Sequence, residues 1–108
     1  MKNVSDGLFF KCENLRAAFL PNVVEIGDYG FCDCEKLQNI ASSAKIIKVG
    51  SFMRCVQLKS VNLHQVTWIN EYGFNECTSL VKINCKSVIK IEKYSFLDCT
   101  ALRTVSLP

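Results

Sequence analysis

The chain has 108 residues, 49% of them hydrophobic and 21% charged, which is one domain's worth of sequence and too apolar for intrinsic disorder. Thirteen basic and ten acidic side chains leave a net charge of +3, spread without a block of like charge, so no nucleic-acid partner is expected. There is no apolar run long enough for a membrane span, and Met1-Lys2-Asn3 opens the chain without a leader pattern. These features leave the location open, with the cytoplasm slightly favoured and the cell surface as the alternative if the chain is a fragment of a larger protein.

The first 21 residues set a spacing that the rest of the chain repeats. Phe9 is followed at steps of three by Cys12, Leu15 and Ala18, and Val4 lies five residues before it. The same columns return at Phe31, Cys34, Leu37 and Ile40, then at Phe52, Cys55, Leu58 and Val61. They return again at Phe74, Cys77, Leu80 and Ile83, and finally at Phe96, Cys99, Leu102 and Val105. The cysteines are separated by 22, 21, 22 and 22 residues. Residues 1–108 therefore read as one domain of about five units of 21–22 residues. A single unit cannot enclose its own apolar face, whereas stacked units bury a continuous one, so the expected architecture is a solenoid.

Within each unit the period changes. Steps of three from the aromatic to the leucine predict a short 3₁₀ or irregular helical turn. Gly30, Ser51, Gly73 and Ser95, each just before an aromatic, predict a tight bend or close packing there. Alternation then begins at Ile40-Ala41-Ser42, Val61-Asn62-Leu63, Ile83-Asn84-Cys85 and Val105-Ser106-Leu107, as expected where a strand starts. Units travelling in one sense must pair these strands in parallel. Val23 to Ile26 and its equivalents make a second extended piece per unit. Ser42 stands where other units carry an aliphatic or thiol, so its hydroxyl needs a buried partner, most simply a backbone carbonyl. With Ala44 in place of valine, this second unit is expected to be the least stable locally.

Seven cysteines would suit a secreted disulfide scaffold, but five occupy one column in which every rung is equivalent. Reduced thiols acting as apolar filler and weak donors account for the column better. Cys85 falls in a core column. Cys32, two residues from Cys34, is expected to point away from the stack and to be the exposed reactive thiol.

The outward positions of the strand sheet form the candidate binding face: Phe19, Asn39, Ser60, Asn62, His64, Lys82, Asn84 and Lys86. Trp68 lies between inward Val66 and Ile69, at a place held elsewhere by Glu25, Ile46 and Lys90, and is divided between partner contact and local packing. A lone histidine, scattered carboxylates and the absence of nucleophile, phosphate-loop or metal motifs leave no enzymatic site and no cofactor or metal to propose. Neither end carries a polar covering element, so the chain is expected to be a piece of a longer array or to associate with sister chains.

The pattern Ile69, Gly73-Phe74, Cys77, Leu80, Ile83, with Leu20-Pro21 and Leu107-Pro108 closing two strands, resembles the leucine-rich repeats of the bacterial surface-antigen (BspA-like) type, found in bacteria and parasitic protists. The resemblance covers essentially the whole chain. It implies an α/β solenoid: an arc with parallel strands on its concave face, and short 3₁₀ or irregular turns with a second extended segment on its convex side. It also implies roles in adhesion or protein recognition and no enzymatic activity. Ala18, Ser42, Ala44, and His64 or Lys86 in place of the proline depart from the pattern.

Overall fold

The computed structural model describes residues 2–108. Each coil contributes one strand to each of two parallel sheets. The shorter-stranded sheet contains β1 (Asn3–Val4), β3 (Glu25–Ile26), β5 (Ile46–Ile47), β7 (Trp68–Ile69) and β9 (Lys90–Ile91), paired in that order. The longer-stranded sheet contains β2 (Ala17–Leu20), β4 (Asn39–Ser42), β6 (Ser60–Asn62), β8 (Lys82–Asn84) and β10 (Thr104–Ser106). Registers such as Ile40 with Val61 and Val61 with Ile83 follow the repeat. The molecule is a parallel β-solenoid of about five turns, and the second extended segment is a sheet in its own right.

The expected helical turns are not formed: no helix is present among the described residues. The spacing of three is real, but it comes from consecutive reverse turns. Cys32, Cys34 and Leu37 amides donate to the carbonyls of Tyr29, Phe31 and Cys34, each at 3.2 Å. A 3₁₀ segment needs right-handed backbone throughout, and every coil instead places two residues in the left-handed region. In the second coil these are Tyr29 (φ 57°) and Asp33 (φ 60°), and in the fourth Tyr72 (φ 61°) and Glu76 (φ 59°). A non-glycine residue there costs about 1–3 kcal/mol and persists only where its surroundings fix it. In the second coil the fixing comes from the third, because Tyr29, Phe31 and Asp33 amides donate across to Val49, Ser51 and Met53 carbonyls at 2.9, 2.7 and 2.9 Å. The turn side is thus a third hydrogen-bonded column beside the two sheets. The α/β label is accordingly replaced by an all-β description.

The core is a set of ladders. Phe9, Phe31, Phe52, Phe74 and Phe96 stack with successive centroids 5.0, 5.2, 5.1 and 5.4 Å apart. That spacing tracks the roughly 4.8 Å between paired strands, so ring stacking and backbone pairing reinforce one register. Beside them each thiol donates to the aromatic's carbonyl one coil back: Cys34 to Phe9, Cys55 to Phe31, Cys77 to Phe52 and Cys99 to Phe74, at 3.0–3.1 Å. All seven cysteines are free thiols. Leu37, Leu58 and Leu80 are fully buried in the next column, and Leu102 is partly buried against the same core. Cys12 and Cys99, in the outer coils, are only half-buried.

Two expectations about small residues are met in detail. A Cβ on Gly30 would sit 3.1 Å from Val4 Cγ1 and 3.2 Å from Ile26 Cγ2, so the bend packs directly on its neighbour. Where serine replaces glycine, its hydroxyl donates locally, Ser51 to Lys48 O at 2.8 Å and Ser95 to Glu92 O at 2.6 Å. Ser42 Oγ donates to Leu20 O at 3.0 Å and accepts the Ala44 amide at 3.1 Å, so the buried hydroxyl is satisfied on both sides.

Candidate protein-recognition face

Strand alternation sends every second residue of the longer-stranded sheet outward. One outward column runs Ala17, Asn39, Ser60, Lys82, Thr104, and a second runs Phe19, Ala41, Asn62, Asn84, Ser106. Asn39, Ser60, Asn62, Lys82 and Lys86 are exposed, and Asn84 is half-buried. Phe19 keeps 73% of its surface in solvent. The face is partly pre-ordered: Asn84 Nδ2 donates to Asn62 Oδ1 at 3.2 Å, and Asn84 Oδ1 accepts the Lys86 amide at 3.3 Å. Ser87 Oγ donates to the His64 carbonyl at 2.7 Å, fixing the backbone at the end of the face.

The structure brings Phe19, Asn62 and His64 together around a shallow groove of about 260 Å³, completed by Ala41, Ser42 and Gln65. Asn39, Ser60, Lys82, Asn84 and Lys86 lie outside the groove on the same sheet. Trp68 does not join them. It belongs to β7 of the other sheet, in register with Ile46 and Lys90 as the repeat implies. Its Nε1 donates to Glu92 Oε2 at 2.8 Å, and Lys90 Nζ stands 5.5 Å from the ring centroid and 3.2 Å from the same carboxylate. The Trp68 hydrogen bond, followed by Lys90, holds the Glu92 carboxyl below the usual range. Trp68 thus has local partners on the other sheet while 37% of its surface stays exposed.

A larger cleft of about 620 Å³ opens on the turn side, between Gly7, Phe10, Asp28, Tyr29, Met53 and Arg54. Its origin is one column, Gly7, Tyr29, Gly50, Tyr72 and Tyr94. Tyr72 and Tyr94 stack at 5.4 Å, whereas Tyr29 leans over Gly50, where a Cβ would come within 2.5 Å of Cε1. Gly7 offers nothing on the other side, and the space stays open. The cleft has no counterpart among the expected sites. The signal was the pair of glycines in a column that is otherwise tyrosine.

Cys32 forms part of the cleft's floor and corrects an expectation, because it is 1% exposed and not the accessible thiol of the chain. Burial, and then the neighbouring Asp33 carboxylate, push its pKa up to about 11, so it is a poor nucleophile. Cys34 is raised to about 11 and Cys55 well above the usual thiol value, in both cases mainly by burial. Beside Cys32, Asp33 takes two bonds from Arg54, Nε to Oδ1 at 2.6 Å and Nη2 to Oδ2 at 3.0 Å. The Arg54 hydrogen bond holds the Asp33 carboxyl below its ordinary value. Among the described residues no group of three metal-ligating side chains is gathered, and no helix is long and apolar enough to cross a membrane.

The BspA type leucine rich repeat region matches residues 2–108, in six copies where the structure has five strands per sheet. Among solved structures, a leucine rich cell surface protein of Faecalibacterium prausnitzii A2-165 is 31% identical and superimposes with a TM-score of 0.91, over 99% of this chain and 30% of that one. The T. pallidum leucine rich repeat protein is 30% identical, with a TM-score of 0.89 over 95% of this chain and 50% of that one. A leucine-rich repeat protein of Bacteroides ovatus, 22% identical with a TM-score of 0.62, shares the fold. This chain thus spans between about a third and a half of the length of each. No curated protein matches. With the repeat columns, the paired parallel sheets and the family match in agreement, the chain belongs to the BspA-type leucine-rich repeat family.

Proposed function

We propose that the chain is a non-enzymatic protein-recognition module, and that its ligand-facing surface is the outer face of the longer-stranded sheet. The observation carrying this reading is a contrast between columns. The inward positions repeat from coil to coil as phenylalanine, thiol and leucine, whereas the outward strand positions change from alanine and phenylalanine through asparagine, serine and lysine to threonine. Side chains held on a continuous sheet lose little freedom on binding, so a varied face on a repeated frame suits selective recognition. One relative is described as a cell surface protein, which supports a role in contacts outside the cell, adhesion among them.

The test uses a variant that obstructs the face without changing its charge, Ser60→Tyr with Asn62→Tyr. A partner that binds the purified chain in titration should lose at least tenfold in affinity for this variant while the thermal midpoint stays put. A partner that binds the variant as tightly would move the recognition surface elsewhere.

A second reading, a structural or self-associating segment, draws on the last coil. Ile91 and Val105 are 41% and 39% exposed, although their register partners Ile69 and Ile83 are buried. A sister chain or further coils of the same design would cover that layer. Sedimentation over a hundredfold concentration range separates the readings, since a chain that stays monomeric throughout counts against the second.

A further inference from the structure

The net charge of +3 conceals a division. From the entry of each strand of the longer-stranded sheet to the start of the next strand of the other sheet, the chain runs through residues 16–24, 38–45, 59–67, 81–89 and 103–108. Those five segments contain six of the thirteen basic side chains, Arg16, Lys45, Lys59, Lys82, Lys86 and Arg103, and not one carboxylate. The other seven basic residues share the remaining chain with all ten carboxylates. The strand side therefore carries +6 and the turns with the second sheet −3.

Four of the ten carboxylates are engaged on the turn side and the second sheet. Asp6 and Asp28 accept the amides of Asp28 and Val49 at 2.8 and 3.2 Å, Asp33 holds Arg54, and Glu92 holds Trp68 and Lys90. On the strand side the cations are left free. Lys82, Lys86, Lys59 and Arg103 are exposed, and the described salt bridges all lie on the opposite side.

We infer that the outer face of the longer-stranded sheet docks an acidic segment of a partner protein. This rests on the proposed function of that face and adds the partner's chemistry. Lys82 and Lys86 flank the Asn62–Asn84 pair, so two cations bracket amide groups suited to carboxylates. The exposed ring of Phe19 at the far end supplies an apolar stop for a side chain bordering the acidic run. Complementary charge of this kind raises association rate and selectivity. A protein ligand fits better than a nucleic acid. Phosphates recur about every 1.7 Å along a duplex and call for denser cations, and a single strand calls for successive stacking rings where this face offers one.

The experiment titrates the chain with a fluorescent oligoglutamate of about 20 residues at low salt, where surface attraction is least screened, and again near 0.15 M. Binding at low salt that weakens at least tenfold on raising the salt is expected. Lys82→Glu with Lys86→Glu should weaken it at least tenfold, while Lys90→Glu with Lys93→Glu, on the other sheet, should change it less than twofold. Thermal midpoints verify that both variants fold. No binding at low salt, or equal losses in the two variants, would overturn the inference. An oligothymidylate of matched length that binds as tightly as oligoglutamate would also overturn it, in favour of a general polyanion site. If a partner is lost on obstructing the face with Ser60→Tyr and Asn62→Tyr but survives the Lys82 and Lys86 reversal, the face keeps its function and only the acidic-partner inference fails.

Discussion

The turn column and the strand face are built from the same five coils, yet they behave in opposite ways. On the turn side the inward aromatic, thiol and leucine recur at every level, and in the middle coils each meets its own kind above and below. On the strand face no outward column keeps one residue type through all five coils. The comparison teaches that repetition here marks what holds the stack together, and variation marks what is free to meet something else.

The largest expected effect comes from breaking the repeated side. Phe52 is fully enclosed between Phe31 and Phe74, so Phe52→Ala leaves a cavity that neither neighbour can fill. It should cost about 3–5 kcal/mol in urea denaturation, a large share of the stability of a chain this size. A loss below about 1 kcal/mol would mean that the ladder can relax around a missing rung. Next comes Cys55→Ala, which removes a buried sulfur and its bond to Phe31 O, while that carbonyl keeps the Cys34 amide. A loss of about 1–3 kcal/mol is expected by the same measurement.

Asp33→Asn tests the edge of the turn column and should cost less, about 0.5–1 kcal/mol, because the guanidinium it pairs with is 43% exposed and screened by solvent. The sign with pH follows from the depressed carboxyl. Its folded value lies below the ordinary value of 3.8, so its stabilising contribution is complete above about pH 4 and fades as the pH falls further. Thermal midpoints of wild type and Asp33→Asn should therefore converge on acidification, and a gap that widens would reverse the assignment. Smallest of all, the strand-face pair Lys82→Glu with Lys86→Glu should shift stability by less than about 0.5 kcal/mol, since both side chains are exposed and unpaired.

Much of this frame was legible in the sequence because it depends on spacing. The Phe, Cys and Leu columns, the parallel register, the reduced thiols and even the carbonyl partner of Ser42 follow once the period is read. The turn conformation was not legible. A step of three between inward residues is shared by a 3₁₀ segment and by consecutive reverse turns, and only the backbone angles at Tyr29 and Asp33 separate them. Cys32 was misplaced for the same reason, because treating the turn as helical aimed its thiol outward. The cleft beside Tyr29 depends on a ring leaning over Gly50, a side-chain event with no periodic signature. The charge division is not legible along the chain, because it shows only when five separated segments are gathered on one side of the coil.

The stacking itself is tested most directly by pulsed alkylation of the native chain, followed by mass spectrometry of each cysteine. Cys55 and Cys77, enclosed in the middle of the ladder, should react only when the whole chain unfolds, with protection that tracks global stability across a urea series. Half-buried Cys12 and Cys99 should react earlier, and Cys32 should share the protection of the interior. Modification of Cys55 and Cys77 at the rate of an unfolded peptide, under conditions where the chain is otherwise native, would contradict a column of buried thiols held in register by five stacked coils.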